Sequence, residues 1–155
     1  MKPNQREINR QLYGAACAYL AIREHGSKEL VKKLRKKYPE ANSKEITLVI
    51  ERLQEKNFQS DKRYMELLIK SRFNKGYGFN MIRSYVLGKD VDMSMFDQIF
   101  YSMNLDLDKS CLEFISKFSH KPKDKLMRKA LNRGFSFDQV KQSMKKLEIQ
   151  NEYML

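Results

Sequence analysis

Apolar residues recur at intervals of three and four along nine stretches of this chain, and no segment alternates apolar and polar residues long enough to make a sheet. The pattern predicts an all-α protein. Its helices run from Gln5 to Glu24, Ser27 to Tyr38, Ser43 to Lys56, Ser60 to Phe73, Phe79 to Leu87, Met93 to Met103, Leu107 to Phe118, Lys123 to Asn132 and Ser136 to Leu147. Ser43 reads as the cap of the third helix, whose apolar stripe is Ile46, Val49, Ile50 and Leu53. Connections are short, so neighbouring helices pack closely.

Two of these helices divide sharply at 100° per residue. In the second, Leu30, Val31, Leu34 and Tyr38 share one arc, while Lys28, Lys32, Arg35 and Lys36 share the opposite one. In the eighth, Leu126, Met127, Ala130 and Leu131 point inward and Lys125, Arg128 and Lys129 point out. Most such faces are merely solvated. Here the stretch from Lys28 to Lys37 holds six cations and one carboxylate, where a solubility face mixes signs, so it reads as a binding face.

A repeat underlies the order. A shift of 44 residues lays Ile82, Val86 and Lys89–Asp90–Val91 on Leu126, Ala130 and Arg133–Gly134–Phe135, and Leu30, Leu34 and Lys37 take the matching places earlier in the chain. The 155 residues therefore divide into three three-helix units, 1–57, 58–104 and 105–155. A helix triplet buries little surface alone, so the units are expected to stack.

Charge sharpens the functional reading. The net charge is +12, with 13 Lys and Arg against 7 Asp and Glu in the first unit, 7 against 5 in the second and 11 against 7 in the third. An excess spread along the chain suggests a folded surface facing a polyanion or an acidic partner. The longest apolar run, Tyr13 to Ile22, is far short of the roughly 20 residues a bilayer needs, so no membrane span is expected. The N-terminal residues lack the apolar core of a secretory signal, and Cys17 and Cys111 make no disulfide framework, so the expected compartment is the cytoplasm. Both cysteines read as small core residues.

No catalytic, metal-binding or cofactor-binding constellation emerges. His25 and His120 lie at helix boundaries without a second ligand at metal spacing, and each reads as a cap or surface residue. Asp106 and Asp108 sit where negative charge offsets a helix dipole. The stretch "SRFNKGYG", Ser71 to Gly78, begins like a phosphate cradle, but the third glycine position is Met81 and no strand precedes it. It reads as a turn, relaxed by Gly76 and Gly78, that displays Arg72 and Lys75. Tyr77 is either displayed with them or packed under the turn.

Four strings in order, "YLAIREHGSKEL" (Tyr19 to Leu30), "FQSDKRYMELLIKSR" (Phe58 to Arg72), "NKGYGFNMIRSYV" (Asn74 to Val86) and "NRGFSFDQV" (Asn132 to Val140), resemble the RecX family of bacterial recombination regulators over roughly Ala15 to Leu147. Arg23, Glu29 and Leu30 match the first signature, with Gly26 at its serine position and Ser27 one place late. Phe58, Asp61 and Tyr64 match the next, a Leu-Asp-Asp-x-x-Phe pattern, with Ser60 in place of its first aspartate, still able to cap a helix. Lys89, Asp90 and Val91 stand for a Lys-Gly-Ile stretch, and aspartate tolerates the left-handed geometry that glycine would supply.

The resemblance implies three tandem three-helix repeats in an elongated, curved body, and a monomer without enzymatic activity. It implies binding to the RecA recombinase, chiefly as its filament on single-stranded DNA, and suppression of its ATPase, strand-exchange and co-protease activities. On that reading Arg23, Lys28, Lys32, Arg35, Lys36, Arg72, Lys75, Tyr77, Lys125, Arg128, Lys129 and Arg133 form the surface that meets the filament or its DNA. The competing reading is a free-standing DNA-binding regulator, with the helices at 79–87 and 93–103 as a helix-turn-helix. Against it, the second of these is mostly apolar and net negative.

Overall fold

A computed structural model describes residues 4–154, and the side chains of residues 4–148. Among the described residues there are nine α-helices and no strand: α1 (Gln5–Ile22), α2 (Ser27–Lys37), α3 (Ser43–Glu55), α4 (Asp61–Asn74), α5 (Phe79–Leu87), α6 (Phe96–Ser102), α7 (Leu107–Lys117), α8 (Lys123–Asn132) and α9 (Phe137–Met154). The chain gathers into two compact units, one holding residues up to Leu67 with Asp90–Met95, the other Leu68–Lys89 with Phe96 onward.

In the first unit α1, α2 and α3 pack on one another around Leu12, Ala16, Leu30, Leu34, Ile46 and Leu53, all shielded from water. The stripe Ile46, Val49, Ile50, Leu53 is buried as the spacing predicts. The cap of α3 is Asn42 rather than Ser43. Its side chain accepts from the Glu45 amide at 2.8 Å while Glu45 accepts from the Asn42 amide at 2.9 Å, a reciprocal box that satisfies two orphan donors at once. Ser43 is left to accept from Arg35 at 3.0 Å.

The start of α2 explains the late serine. Gly26 is its cap and offers no side chain, because a Cβ there would lie 3.0 Å from the Tyr64 ring. The orphan donors are met from α4 instead, where Asp61 accepts from the Ser27 amide at 2.7 Å and the Ser27 hydroxyl at 2.8 Å. Ser60 caps α4 as expected, accepting from the Arg63 amide at 3.2 Å.

In the second unit α7, α8 and α9 close around Cys111, Ile115, Leu126, Ala130, Phe135 and Val140. Cys111 is fully buried, and burial pushes its thiol pKa up, so it remains a protonated packing group. Cys17 is half-buried against the core of the first unit. Leu131 departs from expectation and is exposed, while Leu126 and Ala130 are buried and Met127 packs against the same core. Phe79, Phe96 and Phe100 make an aromatic cluster with centroids 4.9 to 6.0 Å apart.

The positions that mark the repeat behave alike. Leu30 and Leu34, Ile82 and Val86, Leu126 and Ala130 are all buried, and Asp90 (φ 54°) and Gly134 (φ 104°) share a positive φ. Several boundaries move. α1 stops at Ile22, where Arg23 turns extended, and α9 continues to Met154. The predicted helix at Met93 to Met103 begins as a 3-10 turn at Met93–Met95, because Asp92 accepts from the Ser94 amide at 2.9 Å and tightens the entry.

Candidate polyanion interface

The exposed arc of α2 carries Lys28, Lys32, Arg35 and Lys36, on the face opposite buried Leu30 and Leu34. The arc is not uniformly open. Asp90 reaches Lys32 at 3.0 Å and Lys28 at 3.8 Å, and the hydrogen bond from Lys32, with both charges, holds its carboxyl below the usual range. Arg35 is engaged by Ser43. Lys36 has no carboxylate partner among the described residues.

Arg23 lies beside this arc but serves the turn. Its guanidinium grips Glu29 at 2.8 and 3.0 Å and the Glu24 carbonyl at 2.9 Å. Burial would raise the Glu29 pKa, yet the hydrogen bond and charge of Arg23 outweigh it and the carboxyl sits low. The neighbouring His25 is a correction to the reading of it as a surface group: it is 2% exposed, and its ring meets the carbonyl of Arg23 at the end of α1. Its Nδ1 lies 3.0 Å from the Arg23 carbonyl and its Nε2 2.8 Å from Lys33 Nζ. A neutral ring donating at Nδ1 and accepting the lysine proton at Nε2 satisfies both. Gln59, also buried, donates to the His25 carbonyl at 3.1 Å and to Asp61 at 3.0 Å, joining the two turns. Nothing in the sequence pattern marks either residue.

Burial lowers the His25 pKa, opposed only in part by the Arg23 carbonyl. The unfolded chain therefore takes up this proton first. Stability from the neutral ring is fully present above about pH 6.5 and is expected to fall as pH drops below it, by at most about 1.4 kcal/mol per pH unit. Denaturant titrations between pH 7 and pH 5 check this, with His25→Gln expected to reduce the slope. A slope unchanged in His25→Gln would show that the burial has no titration consequence.

On α8, Lys125, Arg128 and Lys129 are exposed as predicted, with Lys129 Nζ 4.1 Å from the Phe118 ring centre. "SRFNKGYG" is arranged differently from the sequence reading. Gly76 takes φ 83°, reversing the chain, and Lys75 is exposed. Arg72 is not displayed: its guanidinium lies 3.8 Å from the Tyr85 ring centre, and its Nε is buried without a hydrogen-bond partner. Tyr77 packs, with the Arg133 guanidinium 4.0 Å from its ring centre.

Arg133 also donates to the Lys75 carbonyl, and to the Gly76 carbonyl at 3.3 Å, so most of its fork is used inside the protein. Beneath it two turns touch backbone to backbone. Gly78 donates to the Arg133 carbonyl at 3.0 Å and Asn80 to the Gly134 carbonyl at 3.1 Å. The paired glycines Gly78 and Gly134 were the available sequence signal for this latch.

Among the described residues no three His, Cys, Asp or Glu side chains gather as a metal site, and no helix is long and apolar enough to cross a membrane. The geometry offers cations on α2, on α8 and at Lys75.

No family model matches the chain. Regulatory protein RecX of Haemophilus influenzae (strain PittEE) is 30% identical over 129 residues, covering 77% of this chain and 84% of the relative. Regulatory protein RecX of Leptothrix cholodnii is 30% identical over 149 residues, 92% of each. The crystal structure of RecX from Lactobacillus salivarius shares the fold, with a TM-score of 0.78 at 22% identity over 93% of this chain and 99% of that one. With 30% identity sustained over most of its length, on an all-helical fold shared with a RecX crystal structure, this chain belongs to the RecX family of regulatory proteins.

Proposed function

We propose that the protein is a stoichiometric regulator of the RecA recombinase, binding RecA chiefly as its filament on single-stranded DNA and inhibiting its ATPase, strand-exchange and co-protease activities. The supporting observation is a one-signed, solvent-facing set of cations on α2 and α8 in a chain of this family. Lys28, Lys32, Arg35, Lys36, Lys75, Lys125, Arg128 and Lys129 then meet acidic RecA surface or DNA phosphates. Arg23, Arg72, Tyr77 and Arg133 serve the surface by building its turns. The protein acts as a monomer in the cytoplasm, and its 1–57, 58–104 and 105–155 segments are three copies of one unit, a division supported by the matched burial and positive φ at Asp90 and Gly134.

DNA-dependent ATP hydrolysis by RecA is expected to fall as the protein is added and to reach a floor at saturation, with the protein itself turning nothing over. Co-sedimentation with RecA filaments on single-stranded DNA, against bare DNA and free RecA, locates the partner. An ATPase rate unchanged by saturating protein at low salt would sink the proposal.

A further inference from the structure

Within the second unit a cleft of about 910 Å³ opens beside the α4–α5 turn, walled by α7 and the end of α8. Lys75, Lys109, Lys117, Lys129 and Arg133 line it against two carboxylates. One of these, Asp106, is occupied in capping α7, accepting from the Lys109 amide at 3.0 Å. The other, Glu113, stands four residues from both Lys109 and Lys117, yet forms an ion pair with neither among the described residues.

Three of the five cations are placed by rings instead. Lys129 and Lys117 lie 4.1 and 5.6 Å from the centre of the Phe118 ring, and Arg133 lies 4.0 Å from that of Tyr77 and 5.7 Å from that of Phe114. A ring face positions a cation without cancelling its charge, so the cleft keeps an anion-attracting field that carboxylate pairing would have quenched. Its size is that of a small-ligand pocket rather than a groove for a duplex. Cations interleaved with aromatic rings are the lining that a nucleic-acid single strand requires, since phosphates meet the charge and flat bases meet the rings. An acidic peptide would use the lysines alone and leave the rings without a counterpart.

We infer that this cleft is a subsite for one or two nucleotides of a single strand, with phosphates on Lys75, Lys109 and Lys117 and a base against the Phe114–Phe118 wall. The inference deepens the regulator reading and rests on it for the strand's setting in a filament. Its test uses bare DNA, so the two fail separately.

The full chain is titrated into labelled oligo-dT across a salt series and followed by anisotropy. Lys109 and Lys117 are both exposed, so Lys109→Gln with Lys117→Gln is expected to keep the wild-type circular dichroism. It should weaken binding about tenfold at low salt and flatten the log–log salt slope by about 1.4, roughly 0.7 for each lost phosphate contact on a single strand. Lys75→Gln, on the other wall, gives a smaller loss in the same direction. An abasic strand of equal length binds about tenfold more weakly than oligo-dT if a base stacks in the cleft.

The inference is overturned if the cleft pair binds like wild type, or if Lys145→Gln with Lys146→Gln on exposed positions of α9 loses as much. Displacement of the oligonucleotide by oligo-glutamate at equal concentration would also overturn it, assigning the cleft to an acidic protein segment. Inhibition of the RecA ATPase without any oligonucleotide binding removes the subsite and leaves the regulator reading. Oligonucleotide binding through the cleft without ATPase inhibition keeps the subsite and removes the regulator reading.

Discussion

Gly78→Ala is expected to lower the melting temperature by about 6–12 °C, from a loss of about 3 kcal/mol at roughly 2–4 °C per kcal/mol for a chain of this size. A Cβ at Gly78 would stand 2.4 Å from the Gly134 carbonyl carbon, 2.5 Å from the Phe135 amide nitrogen and 2.6 Å from the Gly134 oxygen. All three are backbone atoms, so no side chain can swing aside. The turns must separate. That strains the hydrogen bonds from Gly78 and Asn80 to the 133–134 carbonyls and lifts Tyr77 away from Arg133. Gly14→Ala is the control: nothing lies within 4 Å of its added Cβ in mid-α1, and alanine there should stabilise by about 0.5–1 kcal/mol. Thermal melts decide it, and a Gly78→Ala protein melting within a degree or two of wild type would show that the latch contributes nothing.

That latch also marks where the sequence stops being readable. The helix cores were legible because their signal is local: Leu30 with Leu34, and Ile46 with Val49, Ile50 and Leu53, bury themselves at the spacing the chain displays. Asp90 was legible as a left-handed position because the family resemblance sets it where a Lys-Gly-Ile stretch carries its glycine. The turn at Gly76 was legible too, but its partner lies 57 residues away, and periodicity carries no information about which turn meets which. Arg72 and Arg133 read as displayed cations for the same reason, although Tyr85 and Tyr77 take up their faces. His25 failed differently. A lone histidine at a helix end is ordinarily wet, whereas here Tyr19, Lys33 and Gln59 approach it from other elements. The basic arc of α2 was placed correctly on the helix, whereas Asp90, 58 residues beyond Lys32, could be paired with it only in the folded chain.

Lys32→Glu with Lys36→Glu is expected to weaken RecA-filament binding at least about tenfold at low salt and to flatten its salt dependence, because two fewer counterions are released per complex. Both residues project from the face opposite Leu34, so the fold should survive. Lys32 does pair with Asp90, but both groups are well exposed, with side-chain accessibilities of 71% and 58%, and water and salt screen such a pair strongly. The same pair predicts a change of opposite sign. Asp90→Asn keeps a residue that tolerates φ 54° while releasing Lys28 and Lys32, so it should strengthen filament binding a few-fold at low salt. Leu34→Ala tests the other side of the helix. Leu34 is 0% exposed, and its truncation should cost about 3 kcal/mol, lowering the melting temperature first and binding only through unfolding. Co-sedimentation across a salt series separates these outcomes. A double charge-reversal protein that binds filaments like wild type at every salt concentration would reduce the α2 arc to a solvated surface and move the contact to Lys75, α8 and the cleft beside them.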